Sequence, residues 1–237
     1  MAKRYFYFAP HQDDEVTNLG AAICADLEEG REVYCVLCTD GGASCARQLL
    51  ADGSACAWHD GRHETSLSRQ EFSAARDREF TASCLALGVK PDHIIIPPFR
   101  APDSGCDIAA AKRIIRDAIS SCPTEEAVIK TLLPVDWRHQ NPDHTAIALA
   151  AGEVFAEEQC AELEYYFEMI LLPAPDDVKL QKITPSPQGR ERLLRAAAEY
   201  GRWEPESRRY AVGFHSVYDE FEDFKCEPCA WLIEHRR

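Results

Sequence analysis

The chain has 237 residues, 46% of them hydrophobic, enough for one substantial core and about the size of a single α/β domain. Its formal net charge of -14 argues against nucleic acid or an anionic membrane surface as the main partner, because no clustered lysine or arginine is available to release counterions. No stretch approaches the roughly 18 uncharged apolar residues of a membrane-spanning helix; the odd count of 11 cysteines, behind an N-terminus Met1-Ala2-Lys3-Arg4 without an apolar leader, reads as reduced thiols in the cytoplasm.

Short apolar or β-branched runs at Tyr5 to Ala9, Glu32 to Cys38, His93 to Pro97, Val128 to Leu133 and Glu164 to Leu172 predict strands. Between them, helical patterns cover Thr17 to Glu29, Phe72 to Leu87, Ile108 to Ser120 and Asp143 to Glu157. This alternation implies right-handed βαβ units and a mostly parallel sheet covered on both faces, a Rossmann-like three-layer α/β sandwich. The stretch Ala43 to Gln70 is too long for an ordinary connection and leaves the end of the second strand, where a lid or substrate loop would lie. Pro173 to Pro187 carries four prolines and is expected to cross the surface before a helix at Gly189 to Tyr200, and Tyr210 to Val217 is expected as a last strand.

Two clusters carry the chemistry. His11-Gln12-Asp13-Asp14-Glu15 follows the first strand, and His139-Gln140-Asn141-Pro142-Asp143-His144 follows the fourth. Ligands in such sheets bind in the crevice beyond the carboxyl ends of the strands, so the two clusters can converge despite their separation in sequence. Helix capping explains part of each: Asp13, Asp14 and Glu15 complement a helix N-terminus, and Asn141 with Pro142 reads as N-cap and first helical position. Capping leaves His11, His139 and His144 unexplained. A catalytic metal takes three His/Asp/Glu ligands and keeps a position open for water, and His11, Asp14 and His144 would supply that set. Asp13, next to a ligand yet pointing elsewhere, would then be available as a general base. There is no G-x-G-x-x-G after the first strand, which removes the main support for a dinucleotide site.

The His-x-Asp-Asp-Glu turn at His11, Thr39-Asp40-Gly41 after the second strand, Arg76-x-x-Glu79 leading into Leu87-Gly88-Val89, and Pro142-Asp143-His144 before a small-residue helix keep their order and context. Together they resemble the PIG-L-like, or LmbE-like, zinc-dependent de-N-acetylases. The resemblance covers the core motifs over residues 4–160, within a single domain expected to span 1–237 and to diverge over 161–237. Tyr210-Ala211-Val212-Gly213-Phe214-His215 resembles the family's closing strand. The resemblance implies His11, Asp14 and His144 as metal ligands, Asp13 as the base, Arg76 as a substrate contact and Asp143 as a group that orients or tunes the site. It also implies a substrate carrying an N-acetylglucosamine unit. Three positions depart from the family: Gln12 stands where proline is usual, Gly42 where an acidic residue is frequent, and Asn141 where a histidine precedes the last ligand. Asn141 can donate a hydrogen bond to an oxyanion but cannot act as an acid, so His139 is the other candidate for that duty.

Weaker candidates have plainer readings. Cys35 and Cys38 lie on a strand, where residues three apart face opposite sides, and are expected in the core. Cys226 and Cys229 lack a partner pair at zinc-finger spacing. Cys56, His59 and His63 could bind a metal but read first as flexible polar loop residues, and His215 reads as a buried, satisfied histidine; Arg76 and Glu79 could form a helix-surface ion pair. The expectation is therefore a metal-dependent hydrolase with Zn2+, or Fe2+, acting on a small N-acetylated sugar or glycoconjugate. A metal-dependent amidase on a non-sugar N-acyl compound, and a metal or ligand-binding protein without turnover, are the alternatives. Nothing in the sequence speaks to oligomeric state.

Overall fold

The computed structural model describes residues 3–133 and 141–234. The strands are β1 (Arg4–Ala9), β2 (Glu32–Leu37), β3 (Ile94–Ile95), β4 (Ala127–Leu132), β5 (Glu162–Phe167), β6 (Leu180–Ile183), β7 (Trp203–Glu204), β8 (Arg209–Tyr210) and β9 (Ala230–Ile233). The helices are α1 (Asp14–Thr17), α2 (Gly20–Glu28), α3 (Ala46–Leu49), α4 (Arg69–Leu87), α5 (Ile108–Ile119), α6 (Pro142–Glu158), α7 (Pro187–Glu199) and α8 (Val212–Cys226). Seven strands form one sheet in the order β3-β2-β1-β4-β5-β9-β6, parallel from β3 to β5 and antiparallel at β9 and β6. The expected mostly parallel α/β sheet with helices around it is what the chain forms.

β1 sits between β2 and β4, and its alternation sorts two cores. Tyr5, Tyr7 and Ala9 face a layer containing Ile23, Phe80, Leu87, Leu193, Phe221 and Phe224 from α2, α4, α7 and α8, whereas Phe6 and Phe8 face Ile114, Ile115, Ile147 and Val154 from α5 and α6. Cys35 joins the first core and Cys38 the second, as strand periodicity requires. β4 is buried along its whole length, including Lys130, whose ammonium lies 2.9 Å from Asp26 and 2.8 Å from Glu164. A buried cation costs several kcal/mol unless paired, and two carboxylates supply the pairing here.

Local chemistry sets the helix starts. α4 begins earlier than hydrophobic periodicity suggests because Ser68 and Glu71 form a capping box, and α6 begins with Asn141 accepting the Asp143 amide and Pro142 in the first turn. The helix expected over 17–29 is two pieces, α1 and α2, and the proline-rich connection contains the edge strand β6. The strand expected over Tyr210 to Val217 is absent: β8 ends at Tyr210, Ala211 takes φ 48°, and α8 follows. The cause is remote in sequence. The Glu79 carboxylate, on α4, accepts the amides of Val212 and Gly213 at 2.7 and 3.1 Å and so caps the new helix from outside. The closing strand is instead β9, paired antiparallel with β5.

Candidate metal centre and cleft

The turn after β1 is held from two sides. Thr39, just past β2, donates its amide and hydroxyl to the Pro10 carbonyl at 3.1 and 2.8 Å. Arg76, buried on α4, donates to the carbonyls of Gln12 and Gly41 at 2.7 and 3.2 Å. Gly41 has φ 63°, which favours glycine, and a Cβ there would lie 2.1 Å from the Gln12 side-chain oxygen, so any other residue would strain the turn and push the Gln12 side chain aside. Gln12 is itself buried and donates to Asp77, which pairs with Arg100 at 2.6 Å. The departure from proline thus replaces ring rigidity with a side-chain anchor. Asp13 is forced to φ 117°, a region costing a non-glycine residue about 1–3 kcal/mol and typically retained at functional sites.

This turn brings the three expected ligands together. His11 Nδ1, His144 Nε2 and Asp14 Oδ2 form a triangle with edges of 3.0, 3.3 and 3.6 Å. Adjacent ligands of a tetrahedral ion with bonds of roughly 2.0–2.1 Å are ~3.3 Å apart, so the donor set fits a metal of zinc size. The outer nitrogens fix the tautomers: His11 Nε2 lies 3.0 Å from Asp143 Oδ2, and His144 Nδ1 lies 2.7 Å from Glu168 Oε1. Carboxylates must accept there, which leaves a lone pair on each of the two nitrogens facing the triangle. Asp14 is aimed in turn by the Asn18 amide, 3.0 Å away.

Electrostatics favour a cation at this point. Burial works against a charged His144, but Asp14 and Glu168 outweigh it and raise its pKa to about 9; His11 is likewise raised, against burial, by Asp103, Asp14 and Asp143. Asp14 is held well below the usual carboxylate range, burial notwithstanding, by His144 and His11. The carboxylates thus hold positive charge in the cradle, whether as protons on the imidazoles or as a divalent ion in their place. Burial lifts Asp13 to about 6, with Arg76, 3.2 Å from its Oδ2, pulling the other way.

The cradle opens into a cleft of about 310 Å3 lined by Asp13, Asn18, Arg76, Asp103, Asn141, Ser216 and Glu220 among others. Asn141 therefore reaches the cleft, with its side-chain oxygen engaged as the α6 cap. Asp143 stands behind His11, its carboxylate fixed by the amides of Ser104 and Cys106 at 2.7 and 2.9 Å. His139 lies outside the described residues. Arg76 and Glu79 are not a surface pair, since both are buried and they bind different backbone groups. The sequence reading missed Glu168, Asp103 and Glu220. Glu168 carried a usable signal, following Tyr166-Phe167 at the carboxyl end of the next parallel strand; Asp103 and Glu220 reach the cleft only through tertiary packing.

Comparison with known proteins agrees with this fold. The crystal structure of the A40926 pseudoaglycone deacetylase Dbv21 superposes with a TM-score of 0.65 at 17% identity, covering 98% of this chain and 97% of that one. N,N'-diacetylchitobiose deacetylase from Pyrococcus horikoshii gives 0.59 at 18% identity over 98% and 84%. GalB, the 4-carboxy-2-hydroxymuconate hydratase from Pseudomonas putida, gives 0.55 at 14% over 99% and 97%, so the fold alone does not fix the reaction. Among curated proteins none matches the sequence significantly. The family model for GlcNAc-PI de-N-acetylase, PIG-L, matches residues 6–155, the span holding both His/Asp clusters, and the chain belongs to that family.

Proposed function

We propose that the protein is a metal-dependent N-deacetylase acting on an N-acetylated amino sugar or its conjugate. The observation that carries this reading is the cradle: His11, Asp14 and His144 at metal-ligand separations, each imidazole backed by a carboxylate, with Asp13 beside them in a strained backbone conformation. His11, Asp14 and His144 would hold the ion, zinc or ferrous iron, since His/Asp donors suit both. When bound, such an ion lowers the pKa of water from 15.7 to about 7 and polarises the acyl oxygen.

The chain's own residues account for the remaining steps. Asp13 takes a proton from the attacking water and returns it to the departing nitrogen, a role typically worth about 10²–10⁴-fold. Arg76 fixes the Asp13 carboxylate and keeps it ionised against burial, acting on substrate from the same wall. The Asn141 oxygen serves as helix cap, so the group it offers a tetrahedral oxyanion is its amide N–H. Asp143 and Glu168 are positioning residues that aim His11 and His144. A cleft at the low end of the roughly 300–1,000 Å3 range of small-molecule sites, with most of its lining residues polar or charged, suits one sugar unit better than a long apolar acyl chain.

The test is metal analysis of the purified protein with acetate release from N-acetylglucosamine and N,N'-diacetylchitobiose, before and after chelation. Acetate release that chelation abolishes and metal restores is the expected result. Chelator-insensitive release, or full metal occupancy with no release from any N-acetyl sugar, would remove the reading. Release confined to a non-sugar N-acyl compound would place the chain among amidases.

A further inference from the structure

Away from the cleft, four side chains that the proposed reaction does not use converge on one point. Cys56, His59 and His63 come from the long loop and His215 from α8, and their Sγ and nitrogen atoms lie within 4.8 Å of one another. His63 Nε2 is 3.0 Å from His215 Nε2, and Cys56 Sγ is 3.4 Å from the same atom. Tetrahedral zinc with bonds of roughly 2.0–2.1 Å to nitrogen and 2.3 Å to sulfur sets its ligands ~3.3 and ~3.6 Å apart. The two separations at His215 Nε2 are close to those values, and the remaining donor atoms lie near enough for one ion to gather them.

Each ring presents its outer nitrogen to an oxygen: His63 Nδ1 to Ser54 Oγ at 3.0 Å, His215 Nδ1 to the Ala211 carbonyl at 2.7 Å, and His59 Nδ1 to the Asp60 carbonyl at 3.4 Å. The carbonyl facing His215 can only accept, so the proton sits on Nδ1 and a lone pair on Nε2. His59 Nε2 is buried and has no hydrogen-bond partner among the described residues. A proton shared between His63 and His215 would satisfy those two nitrogens and still leave His59 Nε2 orphaned. One cation satisfies all four ligands. The Trp58 amide donates to Cys56 Sγ at 3.4 Å, the kind of bond that stabilises a thiolate.

The surroundings are built to hold this arrangement. Cys56-x-x-His59-x-x-x-His63 lies on a small hairpin, with Ala55 bridged antiparallel to Arg62, Gly53 and Ser54 bonded to His63, and Gly61 turning at φ 121°. His59 stacks on Trp203 at 3.6 Å between ring centroids and an angle of 12°. From these observations we propose that Cys56, His59, His63 and His215 form a second metal site, distinct from the cleft and filled by a structural zinc ion. Four protein ligands close the coordination sphere and leave no place for a reacting water. The ion ties the hairpin to α8 immediately before Ser216, Val217 and Glu220, which form one wall of the cleft. The same loop lines the cleft at Ala43, Ser44 and Cys45, and Ser44 meets Ser216 at 2.9 Å.

Cobalt is the probe that separates the two sites, because only the second contains sulfur. The full chain, stripped by chelation and titrated with Co2+, should bind two ions and develop a thiolate-to-cobalt charge-transfer band. Cys56→Ser should remove that band and one ion, His59→Ala should weaken the same ion's binding at least tenfold, and Asp14→Ala should lose the other ion while keeping the band. The proposal is overturned if the wild-type chain shows no thiolate band at excess cobalt, or if the band survives Cys56→Ser. The wild-type titration decides even where a variant fails to fold, and neither result depends on the deacetylase reading.

Discussion

The strand-end cradle and the loop hairpin both gather histidines, but by different means. In the cradle, carboxylates hold the outer nitrogens: Asp143 behind His11 and Glu168 behind His144. Around the hairpin the hydrogen-bonding partners are neutral oxygens, from Ser54, Asp60 and Ala211, with the Asp52 carboxylate farther off at 3.8 Å from His63 Nδ1, and a cysteine takes the place of aspartate. The first set has three candidate ligands and opens into the cleft beside Asp13; the second has four, with His63 and His215 buried and Cys56 and His59 partly exposed. An acid-backed, open set favours a charged, exchangeable reaction centre, whereas a sulfur-containing closed set favours permanence.

The contrast can be broken experimentally. The largest expected effect is on turnover: Asp13→Ala should lower kcat by about 10²–10⁴-fold while the cradle's metal content stays unchanged, measured by acetate release and elemental analysis on the same sample. Next, Glu168→Gln should weaken cradle metal affinity or activity by about 10–100-fold and leave the thiolate–cobalt spectrum as it was. An equal effect on both sites would show that the two regions are one unit. Gly41→Ala meets both a left-handed φ and the Gln12 side chain, so it should cost at least about 1–2 kcal/mol and lower the melting temperature by several degrees; an unchanged melt would show that the turn relaxes freely.

The smallest effect concerns Glu79, which lies beneath the cradle on α4 and caps α8 of the other region. Burial raises its pKa from 4.5 to about 8, against the pull of the Val212 and Gly213 amides and Arg76. The folded state then binds a proton that the unfolded state releases across that interval. Its contribution to stability is full below the unfolded value and is lost as pH rises toward 8. Between pH 5 and 8 the wild-type stability curve should therefore fall more steeply than that of Glu79→Gln, by at most about one proton's worth of slope. Parallel curves in denaturant titrations would contradict this.

Much of the parallel half was legible in the sequence. β1 and β4 are strongly apolar, their carboxyl ends are marked by histidine and aspartate, and α6 announces itself through Asn141 and Pro142. What stayed hidden depends on remote partners. α8 alternates like a strand over 210–217, and only Glu79, 133 residues before Val212, explains its helical start. Cys56 and His215 are 159 residues apart, and no local pattern joins a loop cysteine to a histidine on another element. Ser68-x-x-Glu71 was visible and would have placed the start of α4 correctly.

The position of β1 also bears on how the chain is made. It is the first strand to be synthesised and one of the most central in the sheet, and Thr131 of β4 reaches back 123 residues to the Phe8 carbonyl. At ~5–20 residues per second, the edge of β1 that will meet β4 waits roughly 6–25 s during translation without its partner. His11 and His144 are separated by the same crossing, so the cradle cannot exist before the sheet has closed around β1. An ion held there would thereby bind late, only after β1 and β4 have paired.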